Sequence, residues 1–243
     1  MNKFKDYLKE KTELTLQYHD ELNSKFWDGE KLKDDVRKHL LMIANKWAIF
    51  SKIPKSGIKE VILTGGNANY NYTRFSDLDV HLIVDFKSIV DCDTEFVDEF
   101  LRDKKTIWQL THDIRIYGIC VEVYGEEKVP KRKSQGVYSL TKNSWIRKPE
   151  HKEINFNEDD LLQSKVKHYV HMINYALNHH ADEESTLGQI KERITNMRNA
   201  AVRKAGEYSV ENLVFKELRN RGILTRLSDH IRTLQDRKLS LKK

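Results

Sequence analysis

The chain has 243 residues, 39% hydrophobic and 33% charged, long enough to bury a real core and too apolar for disorder. No run approaches the ~18 consecutive apolar residues of a membrane span. Met1-Asn2-Lys3-Phe4-Lys5-Asp6 leads into a charged helix rather than a signal peptide, so a cytoplasmic protein without a membrane partner is expected.

Residues 3–50 read as two helices. The first runs from Lys3 to Leu22, and the chain turns near Asn23-Ser24. The second starts at Lys31 and carries Leu32, Val36, Leu40, Ile43, Trp47 and Phe50 at near-helical spacing. Pro54, Ser56 and Gly57 punctuate the entry to a strand over 60–64, which breaks at Gly65-Gly66. Asn67–Phe75 is too rich in Asn and Tyr for more than a short helix. A second strand follows over 78–85, then a short acidic helix over Thr94–Leu101 capped by Asp93 or Thr94. Ile107–Leu110 is expected to pair antiparallel with the strand Ile114–Tyr124. Gly136–Leu140 and Ser144-Trp145-Ile146 form a further strand pair.

From Asn157 the composition changes. An acidic helix start, Asn157-Glu158-Asp159-Asp160, leads into Leu161–Asn178, and helices follow over 185–204, from a cap at Ser209 to Gly222, and on to Leu239. The charge is uneven as well. Thr186–Lys243 holds fourteen Lys and Arg against six Asp and Glu, an excess of eight, so the first 185 residues carry −2 of the chain's net +6. A basic tail fits a polyanionic partner such as RNA, bound through its phosphates. The domains expected are 1–155, containing the sheet, and 156–243, helical.

The chemistry concentrates between Val61 and Asp85. Asp77 and Asp79 stand two apart at a strand entrance and so face one side, roughly 6–7 Å apart. Two anions that close repel unless a cation or proton intervenes. Hard carboxylate oxygens suit Mg²⁺, or Mn²⁺ in its place, with water and substrate phosphates completing the shell. The Gly65-Gly66 turn adds backbone N–H groups open to a phosphate, and Asn67, Arg74 and Ser76 lie in the same loop. Lys131-Arg132-Lys133 is a compact basic loop suited to phosphate or nucleic acid. Tyr70, Tyr72, Tyr138, Ser139 and Trp145 are candidates for nucleoside contact by position.

Leu63-Thr64-Gly65-Gly66 followed by Ser76-Asp77-Leu78-Asp79-Val80 resembles the signature of the DNA polymerase β-type nucleotidyltransferases. The longer run through Asn67-Ala68-Asn69-Tyr70-Asn71-Tyr72 is also similar to predicted nucleotidyltransferases of tailed phages, which would place the protein in the host cytoplasm. The resemblance implies an α/β (α+β) fold, a small mixed sheet of nucleotidyltransferase type with N-terminal helices and a C-terminal helical bundle. It implies transfer of an NMP from an NTP such as ATP to an acceptor hydroxyl, plausibly on RNA or tRNA, by a two-metal clamp. Alternatives are a protein or small-molecule acceptor, and a non-catalytic nucleotide-binding module of the same fold. It also implies a third carboxylate on a neighbouring strand. Glu122, flanked by Val121 and Val123, is the candidate, with Asp113 as substitute. Many members carry serine where this chain has Gly66, so the contact of that hydroxyl with triphosphate falls here to backbone amides, with Ser76 or Asn67 assisting.

Other patterns carry no chemistry. Cys92 and Cys120 form neither a metal motif nor a disulfide framework. His168, His171, His179 and His180 lack the partners of a zinc site, and His112-Asp113 lacks those of a phosphohydrolase.

Overall fold

A computed structural model describes residues 13–89, 93–129 and 136–241. The chain divides into two compact units. Tyr18–Lys152 forms one, and Glu153 onward, together with the described residues before Tyr18, forms the other. The fold is mixed α+β, as expected.

The first unit opens with a two-residue hairpin, β1 (Trp27–Asp28) and β2 (Lys31–Leu32), turning at Gly29. Helix α1 (Asp34–Phe50) follows, with Asp34 and Asp35 favourably placed in its first turn. It buries Val36, Leu40, Ile43, Ala44, Trp47 and Ala48 along one stripe. Then come β3 (Ile58–Thr64), β4 (Leu78–Val84), α2 (Thr94–Thr111), β5 (Arg115–Ile116), β6 (Ile119–Glu126), β7 (Val137–Ser139) and β8 (Ser144–Arg147). The six longer-range strands form one sheet in the order β5-β6-β4-β3-β7-β8, in which β4 and β6 run parallel and every other neighbour is antiparallel.

Alternation along the strands divides the sheet into two unlike faces. Val61, Leu63, Leu78, Val80, Leu82, Val84, Val121 and Val123 join Trp47, Leu101 and Trp108 in one large core cluster. Gly125 admits these helices closely, since a Cβ there would lie 2.7 Å from Leu101 and 3.1 Å from Trp47. The intervening residues face the other way. They include a small apolar group of Ile62, Ile83 and Val137, and the row containing Asp79 and Glu122.

Several local expectations are corrected. Ile107–Leu110 lies inside α2 and is not a strand. Asp93 accepts from Glu95 N–H at 3.1 Å, and Val97, Leu101 and Trp108 sustain a buried helical stripe past Leu101. Of the expected helix Lys3–Leu22, residues 3–12 lie outside the described residues, and 13–22 are not helical. Leu14 and Leu16 are buried two apart, as in an extended chain, which explains why helical spacing misread them. Leu32 belongs to β2, and residues 67–75 contain only the end of one 3-10 turn, Gly66–Ala68.

The second unit consists of α3 (Asp160–His179), α4 (Glu184–Ala205), α5 (Val210–Asn220) and α6 (Ile223–Leu239). Asp159 caps α3 by accepting from Leu162 N–H at 2.9 Å. Ser209 occupies the cap position of α5 without a side-chain capping bond, and Gly222, left-handed at φ +70°, separates α5 from α6. The described residues before Tyr18 group here through Glu217, which is fully buried. Its carboxylate accepts from Thr15 N–H and, at 2.7 Å, from the Thr15 hydroxyl, while Arg221 Nε donates at 2.7 Å. The boundary thus falls at 152/153, and residues 13–17 leave the sheet unit. No helix among the described residues is long and apolar enough to cross a membrane.

Candidate active site

β3 ends at Thr64, which pairs with Asp79 of β4, and Gly65 turns the chain at φ +80°. A side chain is disfavoured there on conformational grounds. Space forbids it too, because a Cβ on Gly65 would lie 1.8 Å from Asp79 Oδ2. The Asp79 carboxylate therefore rests against bare backbone. Asn67, buried, fastens the loop. Its amide donates to the carbonyls of Ser76 (2.9 Å) and Asp77 (3.0 Å), its Oδ1 accepts from Asn23 (2.9 Å), and its own carbonyl accepts from Trp27 Nε1 (2.7 Å). Asn67 is thus a brace that presents Asp77, its side chain spent on protein partners. At Gly66 a Cβ would lie 2.7 Å from Ser76 Oγ, which accepts from Thr73 N–H at 2.9 Å. The Ser76 hydroxyl takes up space a serine at 66 would need.

Parallel pairing puts Asp79 opposite Glu122 and His81 opposite Tyr124 on one face. Burial drives the Asp79 carboxyl up to about 6; His81 pulls it down, but the charges of Glu122 and Asp77 add to the rise. Glu122 behaves oppositely. Burial would raise it, but hydrogen bonds from Tyr124, Lys105 and Gln109 prevail and hold it below the usual carboxylate range. Lys105 Nζ lies 2.9 Å from Glu122 Oε2, and the Tyr124 hydroxyl donates to the same oxygen. Burial, with Asp79 and Glu122 beside it, pushes the Tyr124 phenol far above its ordinary value, so it remains a donor. The His81 ring stacks on Tyr124 at 4.5 Å, with Nδ1 3.1 Å from Glu126.

Gly65, Gly66, Asn67, Ser76, Asp77 and Asp79 thus come together in one loop and strand entrance, with Glu122 next in register. Arg74 is exposed, its guanidinium 4.7 Å over the Phe75 ring. Asp113 is exposed and paired with Arg115 at 2.8 Å, so it does not replace Glu122. Lys131, Arg132 and Lys133 lie outside the described residues, as does Cys92; Cys120 is a free thiol. Of the aromatic candidates, Tyr70 and Tyr138 are buried, Tyr72 stacks on His19 at 3.8 Å, and Trp145 stacks on Trp27 at 4.8 Å. Ser139 is buried and donates to Glu60 at 3.0 Å. All five have partners within the protein. Lys105, Tyr124 and His81 escaped the sequence reading. Period-two spacing from Glu122 and Asp79 marks the last two, whereas nothing local marks Lys105.

The donor set accommodates a divalent cation in part. Asp77 and Asp79 are hard oxygen donors whose mutual repulsion a cation would relieve, and the missing side chain of Gly65 lets the Asp79 carboxylate lie against the turn. Glu122 is engaged by Lys105, and among the described residues no group of three or more His, Cys, Asp or Glu is arranged to hold a metal ion. The fit is therefore to an ion on the aspartates, completed by water and phosphate.

No family model matches the chain, and no curated protein or solved structure matches it either.

Proposed function

We propose that this chain is a metal-dependent nucleotidyltransferase, moving an NMP from an NTP to an acceptor hydroxyl with release of pyrophosphate. The observation that carries the reading is Asp79, seated against the bare backbone of Gly65, opposite Glu122 in register and raised by burial and neighbouring acids. A divalent ion bound there would supply Lewis-acid charge at the triphosphate oxygens. Asp77 and Asp79 would hold such an ion, and the Gly65-Gly66 turn, with no side chain of its own, would offer peptide N–H groups to phosphate. The acceptor oxygen bonds to the α-phosphorus as the α–β bridging bond breaks. Pyrophosphate leaves with that electron pair, and the hydroxyl proton passes to solvent through a carboxylate of this face. Glu122, held ionised, would join the aspartates as a further ligand of the metal and help deprotonate the acceptor hydroxyl.

RNA, including tRNA, is the acceptor class that suits the excess of eight positive charges after Thr186. A protein or small-molecule acceptor would bind with little dependence on salt. A second reading, nucleotide binding without transfer, is favoured by one observation: Lys105 and Tyr124 already occupy Glu122. The deciding experiment offers all four NTPs with Mg²⁺ or Mn²⁺ to a mixed RNA and protein extract and identifies the products by mass spectrometry. The transferase reading expects a mass increase of one NMP or more, abolished by Asp77→Asn with Asp79→Asn. Nucleotide binding without any product would establish the second reading instead.

A further inference from the structure

Lys105 reaches from α2 to the third carboxylate of the site. Its ammonium lies 2.9 Å from Glu122 Oε2 and 3.6 Å from the centroid of the Tyr124 ring. The pair is not an ordinary surface bridge, since the side chains of Lys105 and Glu122 are only 21% and 24% exposed. Lys105 makes its direct ion pair with Glu122, whereas it bears on Asp79, the neighbour of Glu122 in register, only through space. A lysine is a compact charge on a flexible stem, which can let go of one partner and keep another. The Tyr124 ring is such a partner, because an ammonium over an aromatic face is attracted by the ring quadrupole.

We propose that Lys105 is a built-in stand-in for a divalent cation at Glu122. In the ion-free protein its ammonium holds Glu122 in place beside Asp79. When a divalent ion binds the carboxylates, Lys105 yields Glu122 to it and keeps its place over Tyr124. The inference rests on the carboxylate site described above but assigns a role to a residue outside that motif. Lys105 is a positioning residue, and its predicted signature is competition, since removing the ammonium frees Glu122 for the ion.

The test is a Mn²⁺ binding isotherm, independent of turnover, on the native protein and on Lys105→Met, Glu122→Gln and the double variant. Lys105→Gln, which keeps a hydrogen-bond donor, replaces Lys105→Met should the latter fail to fold. Loss of the competing charge is expected to tighten Mn²⁺ binding about tenfold, the low end of what one close charge does to a carboxylate. In the Glu122→Gln background the same change should have less than about a threefold effect, because a general charge effect would persist there and displacement from Glu122 would not. The Lys105 ammonium nitrogen resonance should also shift on saturation with Mg²⁺. Unchanged or weaker binding by Lys105→Met, or a gain that persists without Glu122, overturns the inference while leaving the aspartate site standing. Failure of the native protein and of every variant to bind Mn²⁺ overturns both.

Discussion

Glu217 in the helical unit, fully buried, and Asp79 on the sheet, half-buried, are carboxylates in opposite surroundings. Glu217 is ringed by donors, two from Thr15 and one from Arg221, and every one is a part of the fold. Asp79 has as its neighbours two further acids, Glu122 and Asp77, and a glycine whose missing side chain leaves it space. A buried carboxylate with its donors in place holds chain segments together. One placed beside its own kind raises the energy of the folded state until a proton or cation arrives. The contrast separates the two acids on physical grounds, without reference to any motif.

The contrast breaks most sharply at Glu217. Glu217→Ala leaves Arg221 and the Thr15 donors without their acceptor and should cost about 3–5 kcal/mol, the usual penalty for removing one member of a buried pair. Urea denaturation followed by circular dichroism measures it, and a loss below about 1 kcal/mol would mean that the clamp is dispensable. Gly65→Ala comes next. It forces a Cβ onto Asp79 Oδ2 at φ +80°, so a cost of about 1–3 kcal/mol is expected, together with displacement of the carboxylate and loss of Mn²⁺ binding. Retention of both native stability and ion affinity would show that Asp79 does not need the bare turn.

Asp79→Asn should act in the other direction. The folded protein holds the Asp79 proton up to about pH 6, whereas an ordinary aspartate releases it near 3.8. The folded state therefore binds more protons between these values, and its stability falls as pH rises through that window. Asn does not titrate, so the variant should be more stable than the native protein by about 1–3 kcal/mol at pH 7, and about equal to it below pH 4. Parallel stability curves for the two proteins from pH 4 to 7 would contradict the assignment.

Much of the site is legible from local pattern. The period-two spacing of Glu122 and Tyr124 places that pair on one face of β6, Asp77 and Asp79 bracket the entrance to β4, and the two glycines announce a turn. Helices over 160–179, 184–205, 210–220 and 223–239 follow from apolar spacing and caps. The failures share a cause. Ile107–Leu110 carries the β-favouring, apolar look of a strand, and only the pairing of β6 with β4 and β5 shows that no strand is needed there. Leu14 and Leu16 read as helical from local spacing, because the partner that holds this segment, Glu217, lies about two hundred residues away.

The sequence by itself determined the turn at Gly65, the paired aspartates and the alternation that keeps acids off the core face, because each depends on backbone geometry over a few residues. Tertiary structure alone decided that Asp79 faces Glu122, that Lys105 neutralises Glu122, and that Glu217 secures Thr15. These contacts join residues whose separation along the chain carries no periodic signal, and charge interactions act through distance in space, which only the folded chain defines.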